Sequence, residues 1–213
     1  MGRKQVNMKK FFFDLETTGL DFRVNAIHQI SGCIELDGTV IENFNFKLRP
    51  FDGAIIEPKA LETCNLTEEQ IMAYPPAEEV FPKFMAMLGR YVKKFDKSDK
   101  MFLVGYNNAS FDNNFLRAFY ERYQRDDYFN SWFWGNTLDV MVLAAEHLTE
   151  QRVGMQNFKL MTVARTLGID IDESKLHDAE YDIELTRNVY RIVTDRFNTR
   201  QKVYGVEEAE MPF

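Results

Sequence analysis

The pattern of apolar residues predicts three strands at the start of the chain. Lys10–Leu15 is a short apolar run rich in phenylalanine, which is typical of a buried strand. Ala26–Leu36 and Val40–Leu48 predict two further strands, and the Asp37-Gly38 pair between them is a strong hairpin signal. We therefore expect three antiparallel strands to open the domain.

The rest of the chain alternates between helical patterns and one further apolar strand. Ala77–Phe95 carries apolar residues at helical spacing, and Met101–Tyr106 has the continuous apolar character of a strand inside a sheet. Five other segments complete the pattern, which are a short helix at Thr67–Gln70, helices at Asp112–Tyr123, Phe158–Leu167 and Ala179–Phe197, and a strand end running into a helix at Thr137–Leu148. This order predicts an α/β fold with a mixed sheet of about five strands, flanked by helices.

Length and composition fit one folded domain. The chain has 213 residues, of which 45% are hydrophobic, and this is enough to bury one core. We predict a domain over residues 8–198, with Met1–Asn7 as a leader or a cloning remnant and Thr199–Phe213 as a flexible tail.

No stretch reaches the roughly 20 apolar residues of a membrane span. Two cysteines without zinc-finger spacing are typical of a reduced, cytoplasmic protein.

The net charge of −7 limits how the protein can bind nucleic acid. It argues against a protein that holds long nucleic acid by neutralising many phosphates. It is compatible with an enzyme that holds a few nucleotides at a metal site, because there the acidic residues bind cations and the cations contact phosphate.

Two carboxylates, Asp14 and Glu16, interrupt the first apolar strand. Side chains two residues apart in a strand share a face, so these charges repel each other and are costly to bury. A hard divalent cation with oxygen ligands would compensate for them. The alternative is a strand end at which both acids simply reach water.

Two further segments carry candidate chemistry at the starts of predicted helices. Asp112 follows the strand at Met101–Tyr106, where open α/β sheets place their sites, although a helix cap is an equally good interpretation. His177 precedes the last helix and Asp182 lies within it. A neutral imidazole is well suited to act as a general base near pH 7, but a single histidine is more often structural.

Together these segments resemble the three motifs of the histidine-bearing DnaQ-like exonucleases, the DEDDh family. The motifs are Asp-x-Glu-x-Thr-Gly, Asn-x-x-Phe-Asp-x-x-Phe-Leu and His-x-Ala-x-x-Asp. They are matched, in this order, by Asp14, Glu16, Thr18 and Gly19, by Asn108, Phe111, Asp112, Phe115 and Leu116, and by His177, Ala179 and Asp182. The sequence departs from many members at Ile27–Ile30, which lacks their acidic residue.

The resemblance implies a ribonuclease-H-like fold and a metal-dependent 3′→5′ exonuclease that releases nucleoside 5′-monophosphates. It also implies two divalent cations, Mg²⁺ or Mn²⁺. Asp14, Glu16 and Asp182 would hold the cation that carries the attacking water. Asp14 would also reach the second cation, with support from Asp112, and His177 would take the proton from the water.

The resemblance also supplies candidates for contacts with the terminal nucleotide, which are Thr17, Thr18, Leu20, Asn108 and Phe115. Phe115 would stack on any base, although a phenylalanine here is as often part of the core. The expected substrate is a nucleic acid with a free 3′ end, first of all single-stranded DNA in replication proofreading or repair. The alternatives are an RNA exonuclease, since only contacts to the 2′-hydroxyl separate the two, and a catalytically silent binding subunit, against which the complete motif set argues.

The predicted tail ends in two isolated apolar residues, Met211 and Phe213, after a polar stretch. It loosely resembles the peptides with which bacterial polymerase subunits bind the sliding clamp, with Glu208 where those peptides begin with glutamine. A polymerase or a clamp is therefore a candidate partner. The alternative is an end without a function.

Overall fold

Five strands form one mixed sheet in the part of the chain that the computed structural model describes, residues 8–123, 129–175 and 179–195. The strands are β1 (Lys9–Thr17), β2 (Ile27–Leu36), β3 (Thr39–Lys47), β4 (Phe102–Gly105) and β5 (Leu138–Asp139). Their order in the sheet is β3-β2-β1-β4-β5. The first three strands pair antiparallel, and β4 and β5 extend the sheet in parallel with β1. The predicted sheet is thus confirmed.

Seven α-helices lie within the described ranges. They are α1 (Pro58–Thr63), α2 (Glu68–Met72), α3 (Ala77–Tyr91), α4 (Asp112–Tyr123), α5 (Val140–His147), α6 (Leu160–Thr166) and α7 (Ala179–Thr194). The sequence pattern missed α1, because six residues are too few to show a helical period. In the described ranges, no helix is long and apolar enough to cross a membrane.

Local sequence signals determine two connections as expected. The hairpin between β2 and β3 turns at Asp37 and Gly38, whose φ angles of 48° and 87° are the left-handed values that a tight two-residue hairpin requires. At the start of α2, the Thr67 hydroxyl accepts the Gln70 N–H, and the Gln70 side chain accepts the Thr67 N–H. This reciprocal cap satisfies two backbone donors that the helix itself leaves free.

Alternation along β1 divides the core into two layers. Phe11, Phe13 and Leu15 pack with residues of α3 and α4 on one face of the sheet. Phe12 packs with residues of α5, α6 and α7 on the other face. Since side chains two residues apart in a strand point the same way, β1 presents its even-numbered carboxylates on the face that α7 covers.

A buried ion cluster fastens α7 to this face. The carboxylate of Glu35 on β2 is only 2% exposed and accepts from Lys10 Nζ at 2.8 Å and from Arg187 Nη2 at 2.9 Å. Burial alone would raise the pKa of Glu35, but the hydrogen bonds and charges of Lys10 and Arg187 outweigh burial and lower it. Because Arg187 and Asp182 lie on the same helix, the cluster also helps to set the rotation at which α7 presents Asp182.

We expect Glu35→Gln to lower the free energy of unfolding at neutral pH by about 3 kcal/mol, because it leaves the Lys10 charge buried without its partner. Urea denaturation followed by circular dichroism measures this change. The matched control is Glu42→Gln, which breaks the more exposed pair with Arg90 and should cost less than about 1 kcal/mol.

The destabilisation should depend on pH in a defined direction. The pKa of Glu35 is lowered in the folded protein from an ordinary value of 4.5, so its contribution is complete above that pH and is lost as the pH falls through the folded pKa. The difference in stability between wild type and Glu35→Gln should therefore shrink in acid. A difference that stays constant down to about pH 3 would contradict this interpretation.

Candidate active site

Three elements bring the predicted carboxylates to one place. Asp14 and Glu16 lie on β1, Asp112 is the first residue of α4, and Asp182 lies in the first turn of α7. Because β4 runs parallel to β1, the loop after β4 delivers α4 beside the end of β1. The electrostatic neighbours of Asp14 are the other three carboxylates, Asp112, Glu16 and Asp182. The structure thus groups all four.

The pKa values of two cluster members reflect buried and mutually repelling negative charge. Burial raises the pKa of Asp14 well above its ordinary value, and the charges of the neighbouring carboxylates raise it further. Burial likewise raises the pKa of Asp112 to about 7, against hydrogen bonds from the backbone amides of Asp112 and Leu15. A strand end open to water would not produce these shifts. A concentrated set of carboxylate oxygens is the donor set that hard divalent cations prefer, so the residues fit such ions.

Asp139 organises the loop before Asp112 and was not identified from the sequence. It ends β5 and caps α5 by accepting the Met141 N–H at 3.0 Å. The same carboxylate accepts the N–H groups of Asn107 and Ala109, both at 3.1 Å. An aspartate directly before a helix signals a cap, but its bonds to a loop some thirty residues upstream have no local signal. The position of Asp112 therefore depends on the end of the neighbouring strand.

The predicted substrate contacts on the loop after β1 differ in how exposed they are. Leu20 is 79% exposed. Thr17 is buried, and its hydroxyl donates to a backbone carbonyl of the same loop at 2.8 Å. The fully buried Thr18 hydroxyl donates to the Ile55 carbonyl at 2.7 Å and accepts the Ala26 N–H at 2.9 Å. The two threonine hydroxyls hold the loop in place, whereas Leu20 projects from it.

Asn108 and Phe115, the other predicted contacts, are buried too. The Asn108 amide donates to the Thr137 hydroxyl at 2.8 Å. The Phe115 ring packs in the core against Phe111 and Phe22, at centroid distances of 5.0 and 6.4 Å. The core interpretation of Phe115 agrees with this position, and Phe22 presents the more exposed ring. Contact of the five predicted residues with substrate stays a prediction.

Three predictions concern segments outside the described residues. They are His177 as general base, Thr199–Phe213 as a partner-binding tail, and Met1–Asn7 as a leader. Helix α7 begins at Ala179, two positions after His177. The roles of these segments therefore stay predictions.

Comparisons with known proteins find a family model, related proteins and similar solved structures. The RNase_T family model, described as an exonuclease, matches residues 11–190. Ribonuclease T of Hahella chejuensis is 30% identical over 194 residues, which cover 86% of this chain and 82% of that protein. The PolC-type DNA polymerase III of Clostridium perfringens is 26% identical over 196 residues, which cover 92% of this chain and 12% of that protein. Exonuclease I of E. coli, in complex with a dT13 oligonucleotide, is similar in structure with a TM-score of 0.70 and 22% identity, covering 92% of this chain and 43% of that chain.

These matches differ in what they establish. The chain spans most of ribonuclease T, less than half of exonuclease I and a small part of PolC. At 22% identity, the likeness to exonuclease I shows the fold alone, and it confirms the predicted ribonuclease-H-like architecture. The family match extends over most of the chain and includes all three motifs. The chain belongs to the RNase_T exonuclease family, the DnaQ-like 3′→5′ exonucleases.

Proposed function

We propose that the protein removes nucleoside 5′-monophosphates from the 3′ end of single-stranded DNA, using two divalent cations, Mg²⁺ or Mn²⁺. The observation that carries this proposal is the partly buried cluster of four carboxylates, Asp14, Glu16, Asp112 and Asp182. The raised pKa values of Asp14 and Asp112 reflect negative charge that the surrounding protein does not neutralise, and divalent cations would neutralise it.

The arrangement of the cluster supports a separate role for each residue. Asp14 would contact both cations, because it has the other three carboxylates as neighbours. Glu16 and Asp182 would complete one cation site, and Asp112 would support the other. When bound, the two cations would stabilise the attacking and leaving oxygens of the displacement at phosphorus. His177 would accept the proton of the attacking water.

The exposed loop after β1 supports binding of an unpaired terminal nucleotide. Leu20 is 79% exposed and Phe22 is 37% exposed, and the Phe22 ring rests on the buried Phe115. An unpaired base offers its flat face to such apolar side chains whatever its sequence. A base stacked and paired inside a duplex does not, so the loop favours single strands.

DNA is the proposed strand, and RNA is the alternative. The match to a DNA polymerase favours DNA, in a proofreading or repair role. The match to ribonuclease T favours RNA. Apolar contacts from Leu20 and Phe22 would not distinguish the two, because discrimination requires contacts to the 2′-hydroxyl.

Digestion of matched substrates with Mg²⁺ tests this proposal. We expect single-stranded DNA to be shortened faster than RNA of the same sequence, and a duplex with a 3′ mismatch faster than a fully paired one. A 3′-phosphate should block digestion, whereas a 5′ label should have no effect, because reaction starts at the 3′-hydroxyl end. Faster digestion of the RNA would favour the alternative substrate. Mononucleotides released from the 5′ end of a 3′-blocked strand would contradict the proposed polarity.

A further inference from the structure

A β-bulge redirects one histidine towards the end of β1 that carries Glu16. Glu16 pairs with Gln29 and Thr17 pairs with Ile27, which leaves His28 as the extra residue of β2. Bulges near active sites commonly redirect a side chain in this way. The His28 side chain is fully buried, and neither ring nitrogen has a hydrogen-bond partner among the described residues. Leaving a buried polar group without a partner costs free energy, and a ligand bound to one of the ring nitrogens would remove part of this cost.

Cys64 reaches the same point from the end of α1. Its Sγ donates to Glu16 Oε2 at 2.9 Å. One ligand atom from each of Glu16, His28 and Cys64 lies within 4.8 Å of the other two. The three side chains come from a strand, a bulge and a helix end that are far apart in sequence, so their convergence is a property of the fold. Glu16 belongs both to this group and to the carboxylate cluster.

We propose that Glu16, His28 and Cys64 form a Zn²⁺ site next to the carboxylate cluster, and that zinc bound there slows the exonuclease. Sulfur, imidazole nitrogen and carboxylate oxygen together are a donor set typical of zinc, whereas Mg²⁺ and Mn²⁺ favour oxygen donors. Zinc bonds of about 2.0–2.3 Å place tetrahedral donors about 3.3–3.8 Å apart, so side-chain movements of about 1 Å close the site. A water molecule fills the fourth position, and the Cys64 thiol releases its proton to solvent as it becomes the thiolate ligand.

Sharing of Glu16 makes this site inhibitory. A carboxylate turned towards zinc no longer serves the cations of the four-carboxylate cluster. Because Mg²⁺ does not compete for the sulfur and nitrogen of Cys64 and His28, zinc stays bound when Mg²⁺ is in excess. The inhibition rests on the proposed function, because it requires Glu16 to hold a catalytic cation. The binding of zinc to the three side chains does not depend on that function.

Cobalt(II) absorption tests the binding site directly. Thiolate bound to Co²⁺ gives an intense near-ultraviolet band that oxygen and nitrogen ligands do not give, so the band reports Cys64 and not the carboxylate cluster. We expect the band in wild type, its loss on adding Zn²⁺, and its absence in Cys64→Ser. Cys33→Ser is the matched control, because Cys33 is the other of the two cysteines and is buried in the core beside Phe12. His28→Gln should weaken Co²⁺ binding by at least the roughly 10–100-fold that loss of an outer-shell partner costs, because it removes a direct ligand. A missing band in wild type, or an equal band in Cys64→Ser, would overturn the proposal.

Zinc titration of the exonuclease rate tests the inhibition. With Mg²⁺ in excess, the rate of each protein is expressed relative to its own rate without zinc, because Cys64 contacts Glu16. On this scale Cys64→Ser should need more zinc for half inhibition, by at least the roughly 10–100-fold that loss of an outer-shell partner costs, because it removes a direct ligand. Equal zinc sensitivity of the two proteins would overturn the inhibitory role. If neither protein degrades nucleic acid with Mg²⁺, the proposed function fails, while the cobalt band still decides whether the zinc site exists.

Discussion

Asp14→Asn should lower the rate of nucleotide release by about 10³-fold or more, and Asp182→Asn should have a similar effect. Asparagine keeps the size of the side chain but removes the charge that would hold the cations. Bound cations contribute several kcal/mol to stabilisation of the transition state, and each 1.4 kcal/mol corresponds to a factor of about ten in rate. Initial rates on 5′-labelled single-stranded DNA with Mg²⁺ measure the loss.

Two controls separate this loss from unfolding. Asp170→Asn removes an exposed carboxylate outside the cluster and should leave the rate unchanged. Without metal, Asp14→Asn should be at least as stable to urea as wild type, because burial and the neighbouring carboxylates disfavour the charged form of Asp14. A rate within tenfold of wild type in Asp14→Asn would contradict the assignment of this residue.

His177→Ala should reduce turnover by about 10²–10⁴-fold, which is the usual contribution of a general base. The fold and cation binding should stay intact, since the four carboxylates are unchanged. The wild-type rate should fall as the pH drops below the pKa of His177 in the enzyme–substrate complex, because a protonated imidazole cannot accept the proton of the water. The variant should lack this dependence.

The matched control for His177 is His147→Ala. His147 is exposed at the end of α5 and should not affect turnover. Rates of all three proteins are measured across about pH 6 to 9, which spans the titration of an ordinary histidine. Full activity of His177→Ala over this range would remove His177 from the proposed mechanism.

Much of the site could be predicted because its residues lie where elements begin or end. The spacing of Asp14 and Glu16 on an apolar strand is enough to place both carboxylates on one face, whatever surrounds them. Asp112 follows a buried strand, and Asp182 lies in the first turn of the last helix. The motif order then connects the segments, and the parallel pairing of β1 with β4 brings them together.

Other features depend on contacts that no local pattern carries. Periodicity cannot show that the Thr18 hydroxyl forms hydrogen bonds with the backbone of Ile55 and Ala26, because those partners lie in other segments. The bulge that redirects His28 is one extra residue in the pairing of β1 with β2. The pattern within a single strand does not show how that strand pairs with its neighbour, so it cannot predict the bulge. The contact between Cys64 and Glu16 likewise exists only once α1 has packed beside β1.

The most direct test of the two-cation site is a calorimetric titration of Mn²⁺ into the protein in the presence of a nucleoside 5′-monophosphate. Wild type should bind two Mn²⁺ ions per chain, because the four carboxylates supply ligands for two adjacent cations. Asp14→Asn should lose or severely weaken both binding events, and Asp182→Asn should weaken at least one. Binding that is unchanged in both variants would show that these carboxylates do not hold the metal.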